Sequence, residues 1–192
     1  MAYHHGNARA ALLTAAAELL ESEGAARLSL RQSAERAGLS RQAPYNHFVD
    51  KEALLAELVR EGYQQLGSRI SANAGPSAVP LERLARAAET YIGFGQERPA
   101  LFRLMFSKEL VDLSKHKSAQ DAASRALAEL SAIIDAMAPA TDTHEVSLVA
   151  WSLVHGYTSL CVETGLEGDD QRRQRGHLFA RTVEALTRVP VA

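Results

Sequence analysis

Ser29-Leu30-Arg31-Gln32-Ser33-Ala34-Glu35-Arg36-Ala37-Gly38-Leu39-Ser40-Arg41-Gln42-Ala43-Pro44-Tyr45-Asn46-His47-Phe48 is the stretch that decides the fold. Ser29 and Gln32 have the spacing of a capping box, in which a hydroxyl and an amide close the first turn of a helix. That helix is short, because Gly38 supplies a residue tolerant of positive φ about two turns later. Ser40 then opens a second short helix. Two short helices meeting through a tight turn make a helix-turn-helix, provided that the contact residue on the first is small. Ala34 meets that need, Leu39 plugs the junction, and Ala37 and Phe48 complete a miniature core with Leu12, Leu19 and Leu54.

Working outward, residues 8–23 place Leu12, Ala16, Leu19 and Leu20 on one helical face, with Gly24 as the stop. Asp50 caps a further helix carrying Leu54, Leu55 and Leu58 and running on through Val59, Tyr63 and Leu66. Residues 73–80 hold two prolines and a glycine and mark a loop. Helices are expected beyond it at about 81–96, 99–112, 116–138, 142–165 and 170–188, punctuated by Pro99, Pro139 and Gly168. No strand alternation, fixed-period repeat or low-complexity tract interrupts this pattern. The expected fold is all-α, with about nine helices. A helix-turn-helix domain spans 1–55, a connecting helix 56–73, and a second helical domain 80–192.

The second helix of the motif is the one whose start enters the major groove. On that geometry Arg41, Gln42 and Asn46 point outward; Arg suits guanine, and Gln or Asn suits adenine. Tyr45, His47 and Lys51 fall where backbone contacts are expected. Amide and hydroxyl groups at the Ser29 and Asp50 helix starts add donors for phosphate, and Ser40 is a further candidate DNA contact. Charge gives this reading no help. Net charge is -2, and residues 1–55 balance six Lys/Arg (9, 27, 31, 36, 41, 51) against six Asp/Glu (18, 21, 23, 35, 50, 52).

The segment resembles the N-terminal domain of the tetracycline-repressor (TetR) family. The resemblance rests on Gly24, Ser29-Leu30-Arg31, Ala34, Ala37-Gly38-Leu39-Ser40, Tyr45-Asn46-His47-Phe48 and Lys51-Glu52-Ala53-Leu54-Leu55. Tyr3-His4-His5-Gly6-Asn7, Ala43-Pro44-Tyr45, and Trp151 with His155-Gly156 look like a subgroup with a Trp-His-Gly type C-terminal domain. The resemblance implies a homodimeric transcriptional regulator, commonly a repressor, on palindromic double-stranded operator DNA. It implies a small-molecule effector site in the C-terminal domain, and dimerisation through the last two helices, about 142–188. Two positions depart from the family pattern. Ser33 stands where an aliphatic residue is usual, and its hydroxyl is expected to bond a carbonyl one turn back. Pro44 removes a hydrogen bond inside the reading helix, a distortion expected to leave that helix intact.

Tyr91, Phe94, Phe102, Met105, Phe106, Trp151, His155, Tyr157 and Cys161 recur at helical spacing in the second half. Each reads as ordinary core, and the set reads as a candidate effector pocket, apolar with a few polar groups. Trp151 and His155 are four apart and share a face; His155 bonds either a ligand or a buried neighbour. His4 and His5 read as a terminal pair, or, with Arg9, as an arm reaching DNA. Arg172, Arg173 and Arg175 read as a solvated helix face.

No nucleophile elbow, glycine-rich phosphate loop or His-Glu-x-x-His occurs, and Glu-x-x-His pairs are absent, so neither an enzyme nor a metal or other cofactor is expected. The single Cys161 excludes an intrachain disulfide and fits a reducing compartment. With no signal-type N-terminus and no apolar run long enough to span a bilayer, a bacterial cytoplasmic protein away from membranes is expected. The near-neutral N-terminal region alone favours the competing reading, a ligand- or protein-binding module whose helix-turn-helix is a relic.

Overall fold

Local signals set most of the element boundaries in the computed structural model, which describes residues 5–75, 79–137, 143–166 and 171–188. In chain order the helices are α1 (His5–Glu23), α2 (Leu30–Arg36), a 3₁₀ helix (Ala43–Asn46), α3 (Lys51–Ala74), α4 (Pro80–Glu97), α5 (Pro99–Met105), a second 3₁₀ helix (Leu113–Lys115), α6 (Lys117–Met137), α7 (Thr143–Thr164) and α8 (Arg172–Leu186). Among the described residues the chain is all-helical, with eight α-helices. His4 and the side chain of His5, read as a terminal pair or an arm, lie outside the described residues.

α1 ends at Gly24, whose φ of 81° turns the chain while its N–H closes on the Leu20 carbonyl at 3.0 Å. α2 begins at Ser29, whose Oγ accepts the Gln32 N–H at 3.2 Å and donates to Gln32 Oε1 at 2.8 Å. The box therefore closes hydroxyl to amide side chain. α2 ends in a Schellman turn: Leu39 N–H reaches the Ala34 carbonyl (2.9 Å), Gly38 N–H reaches Glu35 (3.1 Å), and Gly38 takes φ 67°. Asp50 caps α3 through the Ala53 N–H at 2.8 Å.

Two elements differ from the pattern read in the sequence. The expected helix from Ser40 is a 3₁₀ turn at Ala43–Asn46. Pro44 has no N–H to offer the Ser40 carbonyl, and that carbonyl is taken by Ala43 N–H at 3.0 Å, three residues on. Tyr45 to Gln42 (3.3 Å) and His47 to Pro44 (2.9 Å) continue the tighter register. The expected helix at 99–112 stops at Met105. Its carbonyl accepts the buried Tyr63 hydroxyl at 2.9 Å, which competes with continuation of the helix.

The chain packs as two compact units: residues 1–63 with 98–122, and residues 64–97 with 123–192. In the first, Leu12, Leu20, Leu28, Ala34, Leu54 and Val59 form a fully enclosed core. Ser33 is also wholly buried, and its hydroxyl donates to the Ser29 carbonyl at 3.0 Å, so the polar atom is satisfied within its own helix. In the second, α4 is the central helix, packed against α7 and α8 through a face that includes Leu84, Ala88, Tyr91, Ile92 and Phe94. Gly176 of α8 sits so close to α4 that a Cβ there would lie 2.5 Å from the Ala85 carbonyl oxygen.

Candidate nucleic-acid interface

The turn from Ser40 to His47 is held from beneath by its apolar residues. Pro44 and Phe48 are buried, and α2 packs directly against the 3₁₀ turn. This leaves Ser40, Arg41, Gln42, Tyr45 and Asn46 exposed, Tyr45 by 46% despite its ring. His47 is half-buried, with its ring at the edge of Phe48 (6.4 Å between centroids). Lys51 is half-buried and donates to the Ala26 carbonyl at 3.2 Å, which leaves two of its three N–H groups. Ser29 spends its hydroxyl on Gln32, so any phosphate contact at that helix start falls to backbone donors. Six of the eight expected contact residues thus lie on one continuous stretch, 40–47.

Three of the six Lys/Arg of this region form ion pairs. Arg9 meets Glu57 at 2.6 Å, Arg27 meets Glu23 at 3.5 Å and Arg36 meets Glu18 at 3.5 Å. The Arg9 guanidinium also lies over the Phe48 ring, 5.5 Å from its centroid. Glu57 ionises more readily than an ordinary glutamate: its burial is outweighed by hydrogen bonds and charge from Arg9 and Arg60. Among the described residues of 1–55, Arg31 and Arg41 are exposed and make no ion pair. Arg31 is the contact candidate that sequence reasoning left out. Its signal is one of subtraction, visible only once Arg9 and Arg36 have been matched to Glu57 and Glu18 from distant positions, and Arg27 to Glu23 four residues away.

The expected effector-pocket residues fall in both units. Phe102, Met105 and Phe106 belong to the first, where Phe106 packs edge-on to Tyr63 (5.9 Å) and Met105 lies against Gly62. Burial raises the Tyr63 hydroxyl pKa far above its usual value, so it remains a donor to the Met105 carbonyl. Tyr91, Phe94, Trp151, His155 and Cys161 belong to the second. Phe94 and Cys161 are buried core residues. The Trp151 indole N–H donates to Tyr91 Oη (3.3 Å), and Tyr91 Oη lies 3.0 Å from His155 Nδ1. Indole nitrogen is only a donor, so the tyrosine oxygen accepts there, and it meets Nδ1 as donor or acceptor according to the imidazole tautomer. His155 Nε2 lies 3.4 Å from Ser159 Oγ. Desolvation by burial lowers the His155 pKa and reinforces the neutral ring.

Residues 12–58 match the family described as "Bacterial regulatory proteins, tetR family", and residues 84–186 match "Tetracyclin repressor-like, C-terminal domain". A protein with unknown function from Rhodococcus sp. RHA1 is similar in structure, with a TM-score of 0.77 and 28% identity over 94% of this chain and 97% of that one. The TetR family transcriptional regulator PfmR from Thermus thermophilus shares the fold at a TM-score of 0.69 and 20% identity, over 88% of this chain and 97% of the other. Nucleoid occlusion factor SlmA of Vibrio vulnificus is 32% identical over 106 residues, 55% of this chain and 54% of that protein. The chain thus spans about half the length of the curated relatives it matches. With family matches across more than half the chain, this protein belongs to the tetracycline-repressor family of DNA-binding transcriptional regulators.

Proposed function

We propose that the chain is a homodimeric repressor that binds a palindromic operator in the cytoplasm and is released by a small-molecule effector. The observation that carries DNA reading is the row Ser40, Arg41, Gln42, Tyr45 and Asn46, exposed on a turn whose underside, Pro44 and Phe48, is buried. Gln42 and Asn46 suit adenine, Arg41 suits guanine, and Tyr45, His47 and Lys51 clamp phosphates, with backbone donors at Ser29. Of these, Tyr45 and Asn46 lie within the 3₁₀ turn, and Gln42 and His47 stand at its two ends.

Dimerisation through residues 142–188 is supported by the apolar side chains that α7 and α8 leave exposed. Leu148, Val149, Leu153 and Leu160 lie on α7, and Leu178 and Leu186 on α8; Leu153 and Leu178 line an apolar cleft of about 190 Å³ with Tyr157. Two reading heads related by a twofold axis match half-sites one DNA turn apart, about 34 Å. For the effector site we propose Tyr91, Phe94, Trp151, His155 and Cys161. The directional bonds of Trp151, Tyr91 and His155 support it as a group able to recognise a polar function on an otherwise apolar ligand, and they fit the Trp-His-Gly subgroup. FadR from Bacillus subtilis, a structural neighbour at 16% identity and TM-score 0.70 over 95% of this chain and 99% of that one, was solved in complex with stearoyl-CoA. The fold thus accommodates a ligand in at least one neighbour.

Fluorescence anisotropy on the DNA flanking the coding region tests the reading. Tyr45→Ala with Lys51→Ala weakens binding to every sequence, while Gln42→Ala relaxes preference at particular positions. Unchanged affinity of both variants at physiological salt refutes it.

A further inference from the structure

The reading turn ends on Phe48, and the group that lies on that ring comes from far back in the chain. The turn itself is marginal: four residues of 3₁₀ helix, with the His47 and Phe48 N–H groups both taken by the Pro44 carbonyl at 2.9 Å. Its conformation therefore depends on the anchors beneath it. Phe48 is only 3% exposed. The Arg9 guanidinium of α1 lies over its face, 5.5 Å from the ring centroid, and the His47 ring meets it in an edge-type contact, 6.4 Å between centroids.

Arg9 is itself held in place. Its Nη2 meets Glu57 Oε2 at 2.6 Å, and the same carboxylate oxygen accepts the Arg60 Nε–H at 2.9 Å. Glu57 and Arg60 lie on α3, the helix that begins at Lys51. A planar guanidinium can set its edge on a carboxylate and its face on a ring at once; an ammonium has no plane to share between them. Arg9 thus joins α1, the end of the reading turn and α3 at one point. Its charge is committed inside the protein, and a phosphate contact would require it to leave Glu57 and Phe48.

We propose that Arg9 is a positioning residue for DNA reading: it holds Phe48, and through Phe48 the turn that presents Gln42, Tyr45 and Asn46, without touching DNA itself. This role rests on residues 40–47 being the DNA-reading surface. Positioning and phosphate contact, the other role open to Arg9, differ in what each needs. A phosphate contact needs the positive charge, serves every sequence alike and contributes about 0.9 to the log–log salt slope. Positioning needs the plane, matters most where bases are read and adds little to the slope.

Fluorescence anisotropy of the full chain on two duplexes tests it: the duplex that the wild-type protein enriches from a random-sequence library, and a scrambled duplex of the same composition. Arg9→Lys keeps the charge and loses the plane. It weakens binding to the enriched duplex about fivefold or more, changes binding to the scrambled one by less than about twofold, and leaves the salt slope unchanged, with wild-type helicity by circular dichroism. Arg9→Met weakens binding to the enriched duplex as much as Arg9→Lys does, so charge alone gives no rescue. Arg9→Lys with Phe48→Leu binds no more weakly than Phe48→Leu alone, because the one residue acts through the other. Wild-type affinity in Arg9→Lys, with a slope lowered by about one in Arg9→Met, assigns a phosphate contact and overturns the proposal. So does equal weakening on both duplexes, or wild-type binding by both variants. Gln42→Ala separates this role from the reading on which it rests. If Gln42→Ala leaves the preference for the enriched duplex intact, the reading surface fails and the role of Arg9 falls with it. If Gln42→Ala relaxes that preference and Arg9→Lys does not, the role of Arg9 alone is overturned.

Discussion

The Glu21 carboxylate on α1 serves as the N-cap of α5, 79 residues further along the chain: Oε2 accepts the Ala100 N–H at 3.0 Å and Oε1 the Leu101 N–H at 3.2 Å. α5 has no side-chain cap of its own, since its capping position is Arg98 and its first residue is Pro99. The same carboxylate holds Arg98 Nε at 3.3 Å. Further on, Glu52 at the start of α3 accepts the Asp112 N–H at 3.3 Å and lies 3.2 Å from His116 Nε2. Residues 98–116 are therefore fastened to α1 and α3 within the first unit by two carboxylates and by the Tyr63 hydroxyl bond to Met105.

Removing the first of these fastenings leaves two backbone donors and a guanidinium without their acceptor. Glu21→Ala is expected to destabilise the protein by about 1–3 kcal/mol, read from the midpoint of urea unfolding at constant slope. Glu21→Gln keeps one good acceptor oxygen and falls between the two. Equal stability of wild type and Glu21→Ala would remove the capping role.

Ion pairing of Arg9, Arg27 and Arg36 leaves few cations for phosphate, so DNA binding should depend weakly on salt for a helix-turn-helix protein. Arg31→Ala is expected to lower affinity and to reduce the log–log salt slope by about one per reading head. Arg36→Ala, whose partner is Glu18, changes the slope much less. Anisotropy titrations across a salt series measure both, and equal slopes for the two variants contradict the assignment.

Burial lowers the folded-state pKa of His155 below the 6.5 of an ordinary histidine. Between that lowered value and 6.5 the unfolded chain binds the proton and the folded chain does not, so stability rises with pH through this window and is lost as pH falls through it. Protonation also makes Nδ1 a donor, so Tyr91 Oη then meets it only as an acceptor. Thermal unfolding from pH 7.5 down to 5 should show a decline that His155→Asn reduces. An identical decline in the variant assigns the effect to other groups.

Close packing of α8 on α4 depends on a missing side chain. Gly176→Ala improves helix propensity by up to about 1 kcal/mol, but its Cβ meets backbone at Ala85 and forces the helices apart. Net destabilisation of about 1–2 kcal/mol is expected, seen as a lower Tm. A raised Tm would show that the two helices separate at no cost.

If α7 and α8 form the dimer interface, a charge placed among their exposed leucines separates the subunits. Leu153→Arg with Leu178→Glu should sediment as a monomer and lose most operator affinity while keeping its helicity. Persistence of a dimer directs the search to another face.

Sequence by itself determined the features whose causes are local. The Ser29–Gln32 cap, the Gly38 turn, the Asp50 cap and the buried Ser33 hydroxyl all involve partners within a few residues, which is the range over which backbone geometry fixes who can meet whom. Helical periodicity likewise exposed the all-α architecture and the core residues Leu12, Leu19 and Leu54. Pro44 was legible as a disturbance, but its outcome was not: losing one donor balances α against 3₁₀ geometry closely, and the support from Phe48 and α2 decides. Only the tertiary structure decided that α5 stops at Met105, that Glu21 caps it and that Arg36 is matched by Glu18 while Arg31 is not. Each of those outcomes is a competition for one carbonyl, N–H or charge between a near neighbour and a group from elsewhere in the chain. The distant group wins by being held in place by the core, and no local pattern encodes that.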